Sequence, residues 1–314
     1  MSVAVVTDST AYLPAALVEQ YDVEVVPLYV VLAGRSGREG SDVTPDEVAR
    51  ALAARGGQVS TSRPTPGDFI AAYRRRLDAG ATRIVSVHLS GELSSTGDAA
   101  RLAASQVGEH LVTVLDSRSA AMGTGFAVLA AARVAAEGGS PEQVAAAARE
   151  TAAAARVFFV VDTLDHLRHG GRIGSAAALL GGALAVKPVL HMVEGRVVAL
   201  EKVRTSSRAL HRIVQRALDA AGSAPVGVAV HHLAAPERAE RLAEQLAARL
   251  PDVRELHVSE LGAAVGAHVG PGAVGVVIAP SRPGTPPPAA GDPEQIPDGP
   301  AGAGGQPGRD RTRG

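Results

Sequence analysis

Short runs of β-branched and other apolar residues recur along the chain, separated by stretches in which apolar positions return at helical spacing. In the first half the runs fall at 3–7, 24–32, 83–89 and 111–115 and predict four strands. Helical spacing covers 14–21, 45–55, 66–79, 95–107 and 123–137, followed by an Ala-rich helix at 141–156. Two of these helices open on a hydroxyl, a proline and a first-turn acid, Thr44-Pro45-Asp46-Glu47 and Thr65-Pro66-Gly67-Asp68. Alternating short apolar strands and helices imply a parallel sheet covered on both faces.

A second unit begins at residue 157. Its strands are predicted at 157–161, 189–192, 196–202, 226–231, 253–258 and 273–278, with helices at 207–221 and 236–250. The stretch Met192-Val193-Glu194-Gly195-Arg196 has the turn chemistry of a hairpin, which makes this sheet mixed. The expected fold is therefore α/β with two domains. Residues 1–156 carry a four-stranded parallel sheet and residues 157–280 a six-stranded mixed sheet, with helices on the faces of both. Residues 281–314 are rich in Pro and Gly and hold one large apolar residue, Ile296. Such a tail buries too little to offset its ordering entropy and is expected to be disordered.

Composition narrows the function classes. The chain has no cysteine, which removes disulfides, thiolate metal sites and thiol nucleophiles. A net charge of -1 gives no global field for nucleic acid or anionic membrane, and 3% aromatics offer no stacking platform. Residues 173–186 form a long uncharged apolar run, but it is broken by glycine and shorter than the ~20 residues a membrane span needs. The N-terminus shows neither a basic region nor a cleavage-type apolar region, so a cytoplasmic protein is expected. Only two of the 31 basic residues are lysines, Lys187 and Lys202, so each marks either a specific need for an ammonium or a structural ion pair.

Polar clusters sit where an open α/β sheet places its ligands, beyond the carboxyl ends of strands. They are Asp8-Ser9-Thr10, Thr61-Ser62-Arg63-Pro64-Thr65, the stretch from His88 through Ser90-Gly91-Glu92-Leu93 to Ser94-Ser95, Asp116-Ser117, Asp162-Thr163, His169-Gly170-Gly171-Arg172 and His268-Val269-Gly270. Thr61, Ser62 and Ser90 are suited to donating toward an oxyanion. Each cluster also has a plainer reading. Asp8, Asp116 and Asp162 are good helix caps, and residues 61–66 and 90–91 equally make rigid turns. The glycines of Gly270-Pro271-Gly272 precede a strand instead of following one, so they do not make a dinucleotide fingerprint. No phosphate loop, nucleophile elbow or metal-ligand spacing is present. Ser90, His268 and Asp8 offer the residue types of a hydrolytic triad, with no support from their spacing.

Taken in order, the clusters resemble the DegV family. The matching stretches are Val6 to Thr10, Thr61 to Thr65, Leu89-Ser90-Gly91, Asp116-Ser117 with Gly123-Thr124-Gly125, Asp162-Thr163-Leu164 with Gly170 to Ile173, Lys187-Pro188, Gly195 through Arg204, and Gly270-Pro271-Gly272. The resemblance implies a two-domain α/β protein that binds one long-chain fatty acid. Such a protein is not itself an enzyme. It carries the lipid for a bacterial fatty-acid kinase whose separate ATP-binding subunit phosphorylates the carboxylate. No cofactor beyond the bound fatty acid, no nucleic acid and no membrane insertion are implied. Carried over by position, Thr61, Ser90 and His268 meet the carboxylate, with Ser62 beside them. Arg172 is the basic residue near the head group, and Lys202 and Arg204 form a basic edge for the kinase or phosphoryl group. The chain departs from the family at Glu92-Leu93 and at Leu164-Asp165-His166, where an aromatic is usual. Glu92 would repel an anionic head group unless it faces solvent or pairs with an arginine.

A fatty acid suits this inventory physically. Burying about 15 methylenes is worth on the order of 12 kcal/mol at ~0.8 each, before association costs. A hydroxyl bound to the carboxylate gives ~1.5–3 kcal/mol. The tail then sets affinity and the head group sets orientation, with residues 176–186 either a tunnel wall or ordinary core helix. Two other readings stand beside it: a serine-dependent hydrolase or acyl transferase using Ser90 and His268, and a lipid-responsive regulatory protein.

Overall fold

The computed structural model describes residues 2–54, 58–179 and 187–281. The first half runs β1 (Val3–Asp8), α1 (Ala15–Gln20), β2 (Glu24–Val26), β3 (Tyr29–Leu32), β4 (Arg35–Arg38), α2 (Pro45–Ala53), β5 (Val59–Ser62), α3 (Pro66–Asp78), β6 (Arg83–His88), α4 (Thr96–Val107), β7 (Val112–Asp116), α5 (Met122–Ala136) and α6 (Pro141–Ala154). The second runs β8 (Arg156–Val160), α7 (Asp165–His169), β9 (Lys187–Val193), β10 (Arg196–Val203), α8 (Ser206–Ala221), β11 (Val226–His232), α9 (Pro236–Arg249), β12 (Val253–Glu260), α10 (Ala263–Val269) and β13 (Val274–Pro280).

The four-stranded sheet is parallel throughout, in the order β2-β1-β6-β7. Both its faces are covered, and all six residues of β1 are buried. Val5, Val85 and Val87 pack under α5 and α6, while Ala4, Val6 and Ile84 pack under α3 and α4 with Phe69 and Tyr73. The six-stranded sheet has the order β10-β9-β8-β13-β11-β12 and is antiparallel except between β11 and β12. The expected hairpin joins β9 to β10. Glu194 and Gly195 both take positive φ, 51° and 80°, as the tight turn that matches strand twist requires.

The stretch 24–32, expected as one strand, is two strands in different sheets. Pro27 has no N–H for a ladder, and the N–H of Leu28 donates to Ser9 Oγ at 3.0 Å instead. The chain therefore leaves the parallel sheet after Val26. It re-enters as β3 in a small antiparallel sheet of order β4-β3-β5 that the apolar pattern did not announce. β4 reads Arg-Ser-Gly-Arg and β5 Val-Ser-Thr-Ser, with almost no apolar alternation. The expected tail, 281–314, lies outside the described residues except Ser281, whose N–H donates to Pro225 O. Of the expected tunnel wall, 176–186, only residues 176–179 are described, within the 3₁₀ turn Gly174–Leu179, with Ala176 buried beside Leu190 and Val197; residues 180–186 lie outside the described residues. No helix among the described residues is long and apolar enough to cross a membrane.

One face of the six-stranded sheet carries α8 and α9, through Ile213, Val214, Leu242 and Leu246. The other has α5 as its cover. Met122, Phe126 and Leu129 pack against Ala229, Val277 and Ala279, so α5 serves both large sheets. A polar strut crosses the same seam. Arg133 Nη1 and Nη2 donate to Glu255 Oε1 and Oε2 at 3.1 and 2.8 Å, both side chains largely buried. Despite burial, the guanidinium and His257 hold the Glu255 carboxyl down at about 2. Glu255→Leu should leave an uncompensated guanidinium and cost about 3–5 kcal/mol in urea unfolding, while Arg133→Met with Glu255→Leu should cost distinctly less. Equal losses in the single and double variants would show that the pair is not coupled.

Candidate functional site

α5 covers only part of its face of the six-stranded sheet. The remainder is the floor of a cavity of about 500 Å³. Its interior is apolar, built from Val157 and Phe159 of β8, Val277 of β13, and Leu261, Val265 and Val269 around α10. Its polar end is made from three places: Thr61 to Thr65 at the end of β5 and the loop after it, Leu93 to Ser95 after β6, and Arg172 after α7. The volume lies within the ~300–1,000 Å³ range of small-molecule sites, with the usual mix of apolar wall and few polar groups. No aspartate or glutamate lines it among the described residues.

Four of the seven expected residues meet at this cavity. Thr61 lies in β5 opposite Val30, and its Oγ1 is 2.8 Å from His268 Nε2 on α10. The small antiparallel sheet thus supplies the hydroxyl and the last helix the imidazole. Gly170 closes against the ring from below: a Cβ there would lie 2.1 Å from His268 Nδ1, so no larger residue fits. Ser62 lies on the exposed rim. Arg172 is half-buried, with Nε donating to Leu93 O at 2.9 Å and Nη1 to Gly170 O at 2.5 Å. It makes no salt bridge among the described residues. Its partners are two neutral carbonyls, which orient the guanidinium without cancelling its charge.

Ser90 is not brought to the cavity. It is fully buried, its Oγ donates to Gly195 O at 2.8 Å, and the same oxygen accepts from Glu92 N at 3.2 Å. A Cβ at Gly195 would lie 2.3 Å from that hydroxyl. Ser90 therefore fastens the β9–β10 turn to the loop after β6. Ser94 and Ser95, in the same loop, line the cavity instead, as do Thr10 and Arg63. All four stood inside the quoted clusters, but sequence alone does not say which hydroxyl of a serine-rich loop faces inward. Lys202 and Arg204 are exposed and do not line the cavity. Lys187 takes the ion-pair role, with Nζ 3.2 Å from Asp162 Oδ1. Asp162 does not cap the following helix, where Asp165 N donates to Thr163 Oγ1 instead. Glu92 pairs with Arg196 at 2.9 Å on the exterior, so its charge is kept from the head-group end.

No hydrolytic triad forms. Asp8 bonds His88 at 3.0 Å and caps the turn after β1 through Thr10 N at 3.1 Å. His88 Nε2 bonds Ser86 Oγ at 2.7 Å, and Tyr73 Oη donates to the same Ser86 oxygen at 2.9 Å, all buried. Asp8 also takes the N–H of Leu89, so this network shapes the wall at Thr10 and Leu89. Helix α10 is fixed in turn by buried Glu39, which accepts from Ala264 N at 2.8 Å and Tyr12 Oη at 3.1 Å and pairs with Ser9 Oγ.

The two histidines on the wall are held neutral. Burial lowers His268 to about 4, with the charge of Arg172 adding to it. Burial likewise lowers His231 to about 4; its Nε2 accepts from Met122 N, so Nδ1 carries the proton toward Ser259 Oγ. The unfolded chain protonates such groups near their ordinary 6.5 and so binds more protons in acid. Stability from them is complete above about pH 6.5 and falls as the pH drops toward 4, by up to ~1.4 kcal/mol per pH unit for each histidine. Urea midpoints measured from pH 7.5 to 5 should decline, and the slope should be shallower in His268→Gln. An unchanged slope would mean that His268 titrates normally in the fold.

Comparison with known proteins agrees with this architecture. The DegV family model, described as "Uncharacterised protein, DegV family", matches residues 2–281. A DegV domain-containing protein of Streptomyces coelicolor is 52% identical over 276 residues, covering 88% of this chain and 98% of its own. Among solved structures, a fatty-acid-binding DegV family protein from Thermus thermophilus superposes with a TM-score of 0.85 at 37% identity, covering 90% of this chain and 100% of its own. DegV from Bacillus subtilis, a fatty acid binding protein, gives 0.81 at 35% identity with the same coverage. With its fold, its ordered motifs and nearly its whole described length accounted for, the chain belongs to the DegV family.

Proposed function

We propose that the chain binds one long-chain fatty acid, tail in the apolar interior and carboxylate at the polar end, and presents the carboxylate to a separate ATP-dependent kinase subunit. The observation that carries this reading is the pairing of an apolar interior with an acid-free polar end at which Arg172 has no carboxylate partner among the described residues. Bacterial relatives of the same fold are fatty-acid binders, which supports the ligand class. In the mechanism, Arg172 supplies the counter-charge and Thr61 a hydroxyl. With His268 Nε2–H donating to Thr61 Oγ1, the threonine proton is left to point at the carboxylate. Neutral His268 suits this relay, since a cation beside Arg172 would be costly in so dry a place.

The chain provides no phosphate loop, so the nucleotide comes with the partner. A carboxylate oxygen attacks the γ-phosphorus of ATP, the bond from that phosphorus to the ADP oxygen breaks, and acyl phosphate and ADP result. Lys202 and Arg204, exposed and without salt bridges among the described residues, fit a surface that steers an acidic partner.

Lipid extraction of the purified protein should yield a fatty acid near one per chain, and an empty protein that also refuses labelled oleate would end the proposal. Thr61→Ala should cut acyl phosphate formation with added kinase by about tenfold or more while retaining most bound lipid, because the tail holds most of the affinity. Loss of both together would contradict that division. Replacing Lys202 and Arg204 by Glu should weaken the response to kinase concentration without emptying the cavity; complete lipid loss would refute their assignment.

A further inference from the structure

Arg172 answers the single charge of a carboxylate, yet the cavity wall carries a second guanidinium. Arg63 stands on the exposed rim between β5 and α3. Its backbone is tethered on one side by the Thr61–Val30 pairing and on the other by the Thr65–Asp68 capping box. Its Nη1 donates to Ser95 Oγ at 2.6 Å, a bond that spans the rim from the loop after β5 to the loop after β6. A serine hydroxyl is a neutral acceptor and engages one of five guanidinium donors. Arg63 makes no salt bridge among the described residues, and Glu92 of the loop after β6 is engaged by Arg196.

Two guanidiniums, two neutral histidines and no acid line the cavity among the described residues. A fatty carboxylate of charge -1 leaves one positive charge unanswered. An acyl phosphate, with a phosphoryl group of about -1.5 to -2, answers both. We propose that Arg63 is the phosphoryl-binding residue. When the carboxylate becomes an acyl phosphate, the Arg63 guanidinium leaves Ser95 Oγ and takes two phosphoryl oxygens in its fork, while Arg172 stays with the acyl end. The protein is then selective for the reaction product over the substrate, and Arg63 sets that selectivity. This inference rests on the kinase-subunit reading above.

The test uses the purified full chain without kinase and two ligands, palmitate and the methylene phosphonate analogue of palmitoyl phosphate, which cannot hydrolyse. Wild-type protein should bind the phosphonate at least as tightly as palmitate. Arg63→Ala should lower the ratio of phosphonate to palmitate affinity by about tenfold or more, and Arg63→Lys should restore part of it. Ser95→Ala should keep or raise the ratio, since it frees the guanidinium. An unchanged ratio in Arg63→Ala, or an equal fall in Ser95→Ala, would overturn the assignment and leave Arg63 as a staple between loops. Wild-type protein that binds neither ligand would instead fail the fatty-acid reading, and the inference with it.

Discussion

Arg172 holds a positive charge at the end of a cavity whose wall offers it two carbonyl oxygens and no carboxylate. That arrangement costs free energy in the empty protein, because a guanidinium removed from water is stabilised far better by an anion than by neutral dipoles. On the proposed reading the same deficit becomes binding energy when a carboxylate arrives. His268 shares the polar end; burial holds its ring neutral, and the nearby charge of Arg172 adds to that effect. Thr61 then has a neutral partner, and the polar end combines one full charge with orienting dipoles.

Holding such a site together requires parts distant in sequence to meet within a fraction of an ångström. Thr61 comes from the small sheet, Arg172 follows α7, and His268 sits on α10. The clamps between them are buried and largely polar. Glu39 binds the start of α10 to the turn after β1, and burial raises its carboxyl above the ordinary range even with three donors to accept from. Asp8 ties that same turn to the end of β6 through Leu89 N and His88. Ser90 ties the end of β6 to the β9–β10 turn. Each clamp joins a segment of the parallel sheet's carboxyl edge to an element that walls the cavity.

Much of this architecture was legible because hydrophobic periodicity is strong in buried parallel strands and amphipathic helices. The six strands of the mixed sheet and the parallel character of the other sheet follow from it, though not the order of the strands. The small sheet was not legible. β4 and β5 are polar and short, and their pairing depends on Pro27 turning β3 out of line, a tertiary effect with weak local signal. That sheet carries Thr61, so a residue recognised by motif had a structural setting that no pattern announced. The serines show the limit from the other side. Ser90, Ser94 and Ser95 are chemically alike in sequence, and only the close approach of Gly195 decides that Ser90 turns away from the cavity.

With the Ser90 proton committed to Gly195 O, the hydroxyls left at the polar end include those of Thr61, Ser62, Ser94 and Ser95, under the field of Arg172. Hydroxyls turn to suit either partner, whereas a guanidinium imposes a planar fork. Orientation by hydroxyls tolerates the shift from planar carboxylate to tetrahedral phosphoryl group, while the charge required to hold each form differs. On the proposed reading, in which one tail stays while the head group changes charge, adaptable dipoles inside and a second cation outside serve both forms. The wall built here, with serines and threonine around Arg172 and Arg63 at the rim, has that composition.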